Sequence, residues 1–126
     1  MGACADEPGP DMRAPDAYEA AKAGKLMLVD IRTPEEWRET GVAQGITRIN
    51  MLDPRFEGKL RAALRGDKAA PVALICRTGN RSTAVQKWLR EQGYSSVYNI
   101  REGMAGSRAG PGWIARGLPM EPCRNC

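Results

Sequence analysis

A short apolar run, Val72-Ala73-Leu74-Ile75, leads directly into a polar turn and then into a helical pattern. Four consecutive apolar residues without alternation are typical of a parallel strand that is buried on both faces. After the turn, apolar residues recur at helical spacing, and Gly93 is placed to end the helix. The apolar residues of this helical pattern are Ala84, Val85, Trp88 and Leu89. A strand that passes through a tight turn into a helix is the basic unit of an α/β fold.

The same alternation of strand and helix patterns extends over most of the chain. Further strands are predicted at residues 26–31, 46–50 and 95–100, with helical patterns between them. Alternation of this kind predicts a parallel sheet with helices packed against it. We therefore expect the α/β class, with a parallel sheet of about five strands and helices on both faces.

Local signals place two of the helices. Pro15 fits the first position of a short helix that continues over residues 16–23, with Tyr18 and Ala21 on its buried face. Asp53 is positioned to cap another helix, which has one apolar face. The residues of that face are Phe56, Leu60, Ala63 and Leu64. Both helices can therefore pack on the sheet.

The turn after the apolar run is made of Cys76-Arg77-Thr78-Gly79-Asn80-Arg81-Ser82. In an open parallel sheet, ligands bind beyond the carboxyl ends of the strands, and Cys76 is the first residue past one. Successive backbone N–H groups at a helix N-terminus form a nest for anions, and Gly79 permits the positive φ that such a turn often needs. These dipoles and the cations Arg77 and Arg81 favour thiolate over thiol. We therefore expect Cys76 to be a nucleophile at neutral pH.

A lone cysteine at the end of a buried strand is usually a small, inert core residue. This loop, however, resembles the active-site loop of the rhodanese domains, in which a Cys opens a six-residue loop closed by Arg and carries sulfur as a persulfide. Related phosphatases place the Arg six positions after the Cys, which gives a wider bowl. In this chain, the sixth residue after Cys76 is Ser82, and the arginine of the loop, Arg81, is the fifth residue after Cys76. The resemblance implies persulfide chemistry and disfavours phosphatase or arsenate-reductase chemistry.

A second stretch, residues 29–37, resembles another hallmark of the rhodanese domains. It contains a capping box, in which Thr33 caps a helix and Glu36 reaches back to it. Asp30 ends the preceding strand, so we expect it to be partly buried and to need a partner. Arg32 is one candidate for that partner, and an arginine of the active loop is another. Asp30 then either supports catalysis directly or fixes the turn through backbone hydrogen bonds.

The resemblance continues beyond these two motifs. Residues 42–46 keep the Gly of the family's His-Ile-Pro-Gly-Ala segment and lose its His and Pro. Residues 101–104 resemble the start of the glycine-rich loop beside the active site, but the loop continues here over residues 105–112 and reaches a Trp only at Trp113. In this continuation, Arg108 either helps to receive an anionic donor or is simply solvated. A short closing helix is predicted to start at 113–114. The glycine-rich loop is expected to overhang Cys76.

The sequence divides into three parts: a flexible N-terminal segment at 1–14, a rhodanese-like domain at 15–120 and a Cys-containing tail at 121–126. Cys123 and Cys126 form a Cys-x-x-Cys pair outside any strand-to-helix context, so a thioredoxin-type motif is disfavoured. Three interpretations stay open. The pair forms a disulfide, it acts as a resolving thiol that accepts sulfur or reduces a persulfide, or its thiols are idle.

Composition excludes several kinds of site. The chain has no histidine, which removes His-based acid–base catalysis, Cys-His protease pairs and mixed Cys/His zinc sites. A zinc site of four cysteines is also disfavoured, because Cys76 belongs to the loop and Cys4 lies in the flexible segment. We expect no metal and no organic cofactor.

The net charge of +4 and the pI of about 9.1 are mild. They favour attraction of small anions, whereas scattered basic residues and few aromatic residues do not favour nucleic-acid binding. No apolar stretch approaches the roughly 18 residues of a membrane span, and the first residues lack the apolar core of a secretory signal. We expect a soluble protein, cytoplasmic by default or periplasmic if a signal peptide has been removed.

Together the motifs imply, by resemblance, a single-domain sulfurtransferase of the thiosulfate sulfurtransferase type. Cys76 would take sulfur from thiosulfate or another persulfide donor and pass it to cyanide or a thiol. The loop residues Arg77 to Ser82 would hold the persulfide, with Asp30 and Arg32 in support. The alternative is a non-enzymatic or partner-dependent persulfide carrier, which would exchange sulfur with another protein. We expect a monomer.

Overall fold

The computed structural model describes residues 9–126. In chain order, its elements are α1 (Ala14–Lys22), β1 (Met27–Asp30), α2 (Pro34–Thr40), β2 (Val42–Ala43), β3 (Thr47–Arg48), α3 (Phe56–Ala63), β4 (Val72–Ile75), α4 (Asn80–Glu91), β5 (Val97–Asn99) and β6 (Met120–Glu121). β1, β3, β4 and β5 lie within the four strand ranges predicted from the sequence. Within residues 9–126, none of the helices is long and apolar enough to cross a membrane.

Four strands form a parallel sheet in the order β3-β1-β4-β5. At its carboxyl edge, Asp30 is in register with Arg48 on one side and with Ile75 on the other. The predicted α/β class with a parallel sheet is confirmed. The prediction of a sheet of about five strands is wrong, because the described sheet has four. The remaining strands, β2 and β6, have two residues each and pair with each other in antiparallel fashion.

Helices cover both faces of the sheet, as predicted. One face is packed by α3 and α4, and the other by α1 and the segment that follows β5. The fully buried Trp113 anchors that segment, and its ring meets the Tyr18 ring of α1 edge-on at a centroid distance of 5.9 Å. Cover on both faces is the reason that β4 is apolar at every position.

The first helix differs from its prediction mainly in its buried face. α1 begins at Ala14, one residue before the predicted first position, so Pro15 does lie in its first turn, but the helix buries Ala14 and Ala17 where Tyr18 and Ala21 were expected. Small alanine side chains allow the helix to lie close to the sheet. The larger Tyr18 therefore stays only partly buried at the edge of the same core.

The third helix begins at Phe56, three residues after the predicted cap. The Asp53 side chain accepts a hydrogen bond from the Arg55 N–H at 2.8 Å, so it stabilises the turn before the helix instead of capping it. The predicted apolar face is present, with Phe56, Leu60 and Leu64 buried in the core.

The apolar stripe of α4 is narrower than predicted. Ala84 is exposed and Trp88 is 41% exposed. Gln86 is buried in addition, because its side-chain amide donates hydrogen bonds of 2.9 Å to the carbonyl oxygens of Pro10 and Val97. The polar side chain is stable there because its donors are satisfied.

The closing helix predicted at 113–114 does not form, and the described residues between β5 and β6 follow turns and bends instead. Glycines with positive φ, such as Gly112 at 96° and Gly117 at 73°, interrupt helical geometry there. The Trp113 indole N–H donates to the Pro119 carbonyl oxygen at 3.2 Å, which fixes this segment without a helix.

Residues 1–8 of the predicted flexible segment, including Cys4, lie outside the described residues. Its described part runs beside β5. The Met12 N–H donates to the Asn99 carbonyl and the Asn99 N–H donates to the Pro10 carbonyl, both at 3.0 Å. These two hydrogen bonds hold the segment before α1 against β5.

Candidate active site

The fold places Cys76 directly after β4 at the carboxyl edge of the sheet. Its side chain is fully buried, within the core between the sheet and the helices α3 and α4. The glycine-rich loop packs over its backbone, since the Met104 N–H donates to the Cys76 carbonyl and the Ala105 N–H to the Arg77 carbonyl, both at 2.9 Å. The expectation that this loop lies over Cys76 agrees with these contacts.

Backbone donors converge on the Cys76 sulfur. The N–H groups of Gly79 and Ser82 point at Sγ from 3.2 and 3.3 Å. The Ser82 hydroxyl lies 3.4 Å from the same sulfur and donates to the Gly79 carbonyl at 3.2 Å. Amide donors that are aimed at a sulfur stabilise negative charge on it.

Gly79 is required by the loop for two reasons. Its φ of 93° lies in the left-handed region that favours glycine, and a Cβ at this position would collide with the Arg101 carbonyl oxygen. The residue directly precedes α4, so the turn aims the N-terminus of that helix at the sulfur. The described first turn of α4 has no acidic residue to compete for its N–H groups.

Arg81 braces the loop against α2. Its guanidinium makes two hydrogen bonds of 2.7 Å to the carboxylate of Glu36. The hydrogen bonds from Arg81 lower the pKa of Glu36 to about 2, against the opposing effect of partial burial. The predicted capping box is also present, because Glu36 and Thr33 exchange hydrogen bonds at the start of α2. Glu36 thus joins two elements, a role that the sequence analysis missed.

Asp30 and Arg32 form a fully buried ion pair beside the loop. The Arg32 side chain donates to both carboxylate oxygens of Asp30, at 2.8 to 3.1 Å, and its backbone N–H donates to one of them at 3.0 Å. The guanidinium also donates to Thr40 Oγ1 and to the Gly41 carbonyl. Arg32 is therefore the partner of Asp30, and the pair ties the end of β1 to the end of α2.

The remaining loop residues form an exposed rim. Arg77, Thr78 and Asn80 are all exposed. A cavity of about 190 Å³ lies beside them, between the loop and the glycine-rich segment. Its lining residues are Thr78, Gly79, Asn80, Thr83, Arg101, Ser107, Arg108 and Ala109. Arg108 and Arg101, which pairs with Asp11 at 3.3 Å, therefore adjoin the outer side of the loop.

Glu102 holds the glycine-rich segment in place. Its buried carboxylate accepts hydrogen bonds from the Ala14 N–H at 2.8 Å, the Gly112 N–H at 2.9 Å and Arg116 Nε at 2.7 Å. Burial raises the pKa of this carboxyl, but the hydrogen bonds outweigh burial and the net pKa is lowered. Nothing in the local sequence pattern distinguishes this glutamate from a surface residue.

The tail cysteines lie against α2 and β3, where Arg38 contacts the backbone of Cys126 and Arg48 contacts both sulfurs. Cys123 and Cys126 are joined in a disulfide, which is one of the three interpretations of the sequence. Among residues 9–126, no cluster of three or more His, Cys, Asp or Glu side chains is arranged to hold a metal ion.

The family model for the Rhodanese-like domain matches residues 13–109. The chain belongs to the rhodanese-like domain family. The resemblance noted in the sequence is therefore confirmed.

Comparison with known proteins agrees with this assignment. A protein named sulfurtransferase from Allochromatium vinosum is 34% identical over 95 residues, which are 75% of this chain and 78% of that protein. An uncharacterized protein from Rickettsia rickettsii is 30% identical over 100 residues, which are 75% of this chain and 81% of that protein. The solution structure of a polysulfide-sulfur transferase homodimer from Wolinella succinogenes matches with a TM-score of 0.71 at 27% identity, and covers 97% of this chain and 85% of that chain.

Proposed function

We propose that this rhodanese-like protein is a sulfurtransferase that carries sulfane sulfur as a persulfide on Cys76. The observation that supports this most strongly is the pair of backbone N–H groups, from Gly79 and Ser82, that point at the Cys76 sulfur. A neutral thiol that only packs in a core gains little from two amide donors. A thiolate or a persulfide anion is stabilised by them, because the N–H groups donate hydrogen bonds to its negative charge.

In the first step, the Cys76 thiolate attacks the outer sulfur of thiosulfate or of another persulfide donor. The sulfur–sulfur bond of the donor breaks, and sulfite or a thiolate leaves with the electron pair. In the second step, cyanide or an acceptor thiolate attacks the outer sulfur of the Cys76 persulfide and regenerates the Cys76 thiolate. Neither step transfers a proton to or from carbon, so the absence of histidine from the chain is no obstacle.

The loop contributes preorganised electrostatic stabilisation. By analogy with oxyanion holes, removal of one such donor costs about 3 kcal/mol of transition-state stabilisation. Because Arg81 is neutralised by Glu36, the exposed Arg77 is the loop cation available to attract an anionic donor. Arg81 acts by bracing the loop. The names of the two sulfur-transferring relatives support the same reaction class.

Turnover with thiosulfate and cyanide tests this proposal. We expect thiocyanate formation by the wild-type chain and none by Cys76→Ser, whose fold should be retained because serine is similar in volume. If thiosulfate is inactive while a polysulfide loads Cys76, the chain is a persulfide carrier. If the chain instead turns over a phosphate ester and this activity is lost in Cys76→Ser, the proposed sulfur chemistry is wrong.

A further inference from the structure

The C-terminal tail is docked on the body of the protein and not left free. β6 pairs with β2, and Arg38 Nη1 donates to the Cys126 carbonyl oxygen at 2.7 Å. The Cα atoms of Cys123 and Cys126 are 5.9 Å apart across their disulfide. Both cysteines are only partly buried, so an external thiol can reach them.

A guanidinium is aimed at this disulfide. Arg48 Nη1 contacts the sulfurs of both Cys123 and Cys126, the latter at 3.1 Å, and Nη2 donates to the Asn125 side chain at 3.0 Å. The Trp37 ring holds the guanidinium in place, with its carbon 5.5 Å from the ring centroid. Among residues 9–126, no carboxylate forms an ion pair with Arg48.

The charge of Arg48 suits the reduced form of the pair better than the oxidised form. A neutral disulfide gains little from a guanidinium, whereas a thiolate gains a charge-assisted hydrogen bond. Cations next to a Cys-x-x-Cys pair stabilise the thiolate, which is the attacking species in thiol–disulfide exchange. The arrangement is therefore that of a pair that cycles between dithiol and disulfide.

The pair also lies at the same edge of the sheet as the Cys76 loop. Arg48 ends β3 in register with Asp30, which is in register with Ile75, the residue before Cys76. Two strand spacings, about 10 Å, therefore separate the backbones of Arg48 and Ile75. Trp37, which holds Arg48, directly follows Glu36, the partner of the loop residue Arg81.

We propose that the Cys123/Cys126 dithiol takes the sulfane sulfur from the Cys76 persulfide and releases it as sulfide. This inference rests on the proposed function.

One tail thiolate, that of Cys123, attacks the outer sulfur of the Cys76 persulfide, and the Cys76 thiolate leaves. The Cys126 thiolate then attacks the Cys123 sulfur, the disulfide forms and hydrosulfide leaves. The transferred sulfur gains two electrons, and each tail sulfur loses one. An external thiol reductant restores the dithiol.

The test uses the full chain, reduced and freed of reductant without air, and then mixed with about one equivalent of thiosulfate, because one dithiol can reduce only one persulfide. For the wild type we expect about one sulfide released per chain, an unmodified Cys76 and an oxidised tail, by the stoichiometry of thiol–disulfide exchange. For the Cys123→Ser/Cys126→Ser double variant we expect no sulfide and an intact mass increased by one sulfur on Cys76. For Cys76→Ser, which retains the tail, we expect neither product.

The possible results separate the inference from the function on which it rests. If the wild type keeps the extra sulfur on Cys76 while its tail thiols stay reduced, the inference is overturned and the proposed function stands. If Cys76→Ser releases sulfide as the wild type does, transfer does not pass through Cys76 and the inference is also overturned. If neither the wild type nor the double variant takes up sulfur, the proposed function fails, and the inference fails with it.

The role of Arg48 has its own readout. In Arg48→Gln, the reduced tail should react with an alkylating agent at neutral pH more slowly, on the order of tenfold, because the thiolates lose their cation. Arg38→Gln is the matched control, since the Arg38 guanidinium donates to the backbone of Cys126 and not to its sulfur. Equal alkylation rates in the wild type and Arg48→Gln would contradict this role.

Discussion

At the scale of single residues, the chemistry centres on one sulfur and on the small residue that lets the backbone surround it. Cys76 is fully buried, yet two amide N–H groups within 3.3 Å replace the water that it lacks. Gly79 supplies one of these N–H groups and adopts the positive φ that turns the chain into α4. The conformation of one glycine thus determines the environment of the proposed nucleophile.

Replacement of Gly79 should damage both stability and sulfur loading. In Gly79→Ala, the added Cβ would meet the Arg101 carbonyl oxygen, and the left-handed backbone would be strained as well. Gly24→Ala is the matched control, because Gly24 has a φ of 73° and no atom near its Cβ position. We expect Gly24→Ala to cost about 1 kcal/mol in urea unfolding, and Gly79→Ala to cost more and to lose persulfide formation. Similar behaviour of the two variants would contradict the close packing described for the loop.

The buried ion pair next to the loop makes a second prediction. Asp30→Ala leaves the Arg32 guanidinium buried without its partner, which should reduce the free energy of unfolding by about 3 to 5 kcal/mol. Lys59→Ala, which removes the exposed Lys59–Asp53 pair, is the control and should have a much smaller effect. Chemical denaturation measures both. If Asp30→Ala is as stable as the control, Asp30 does not support the loop through Arg32.

At the scale of elements, the contact that connects α2 with the loop before α4 is the Glu36–Arg81 pair. α2 begins at its capping box, and the same carboxylate reaches across to the loop. Any change that neutralises Glu36 therefore loosens the end of the loop that is closed by Arg81.

This pair should make stability depend on pH in the acidic range. The pKa of Glu36 falls from an ordinary value of 4.5 to about 2 in the folded chain. Its stabilisation is therefore fully present above pH 4.5 and is lost as the pH falls through about 2. Glu36→Gln should lower the free energy of unfolding by about 1 to 2 kcal/mol at neutral pH, and this difference should shrink as the pH approaches 2. Glu35→Gln, in the same helical turn, is the control. A constant difference between Glu36→Gln and the wild type at all pH values would refute the assignment.

At the scale of the whole molecule, contacts between residues close together in the sequence could be predicted, whereas contacts between residues far apart in the sequence could not. The capping box of Thr33 and Glu36 was predicted, and Arg32 was one of the two candidate partners for Asp30, because each pair joins residues two or three positions apart. The second partner of Glu36, Arg81, lies 45 positions away, and only the fold brings the two together.

The same limit explains the other differences from the sequence predictions. β2 and β6 have two residues each, too few to show any periodicity. The exposure of Trp88 depends on how closely α4 packs, which helical spacing does not determine. Glu102 shows no distinctive pattern in the sequence, yet it connects α1 with the glycine-rich segment through three hydrogen bonds.

The intact mass of the chain after incubation with thiosulfate or a polysulfide tests the central claim most directly. The tail is kept in its disulfide form for this measurement, so that sulfur stays where it is first bound. We predict a gain of one sulfur atom that peptide mapping assigns to Cys76 and that a thiol reductant removes. Cys76→Ser should show no gain. No gain by the wild-type chain with either donor, or a gain assigned to any residue other than Cys76, would contradict the account.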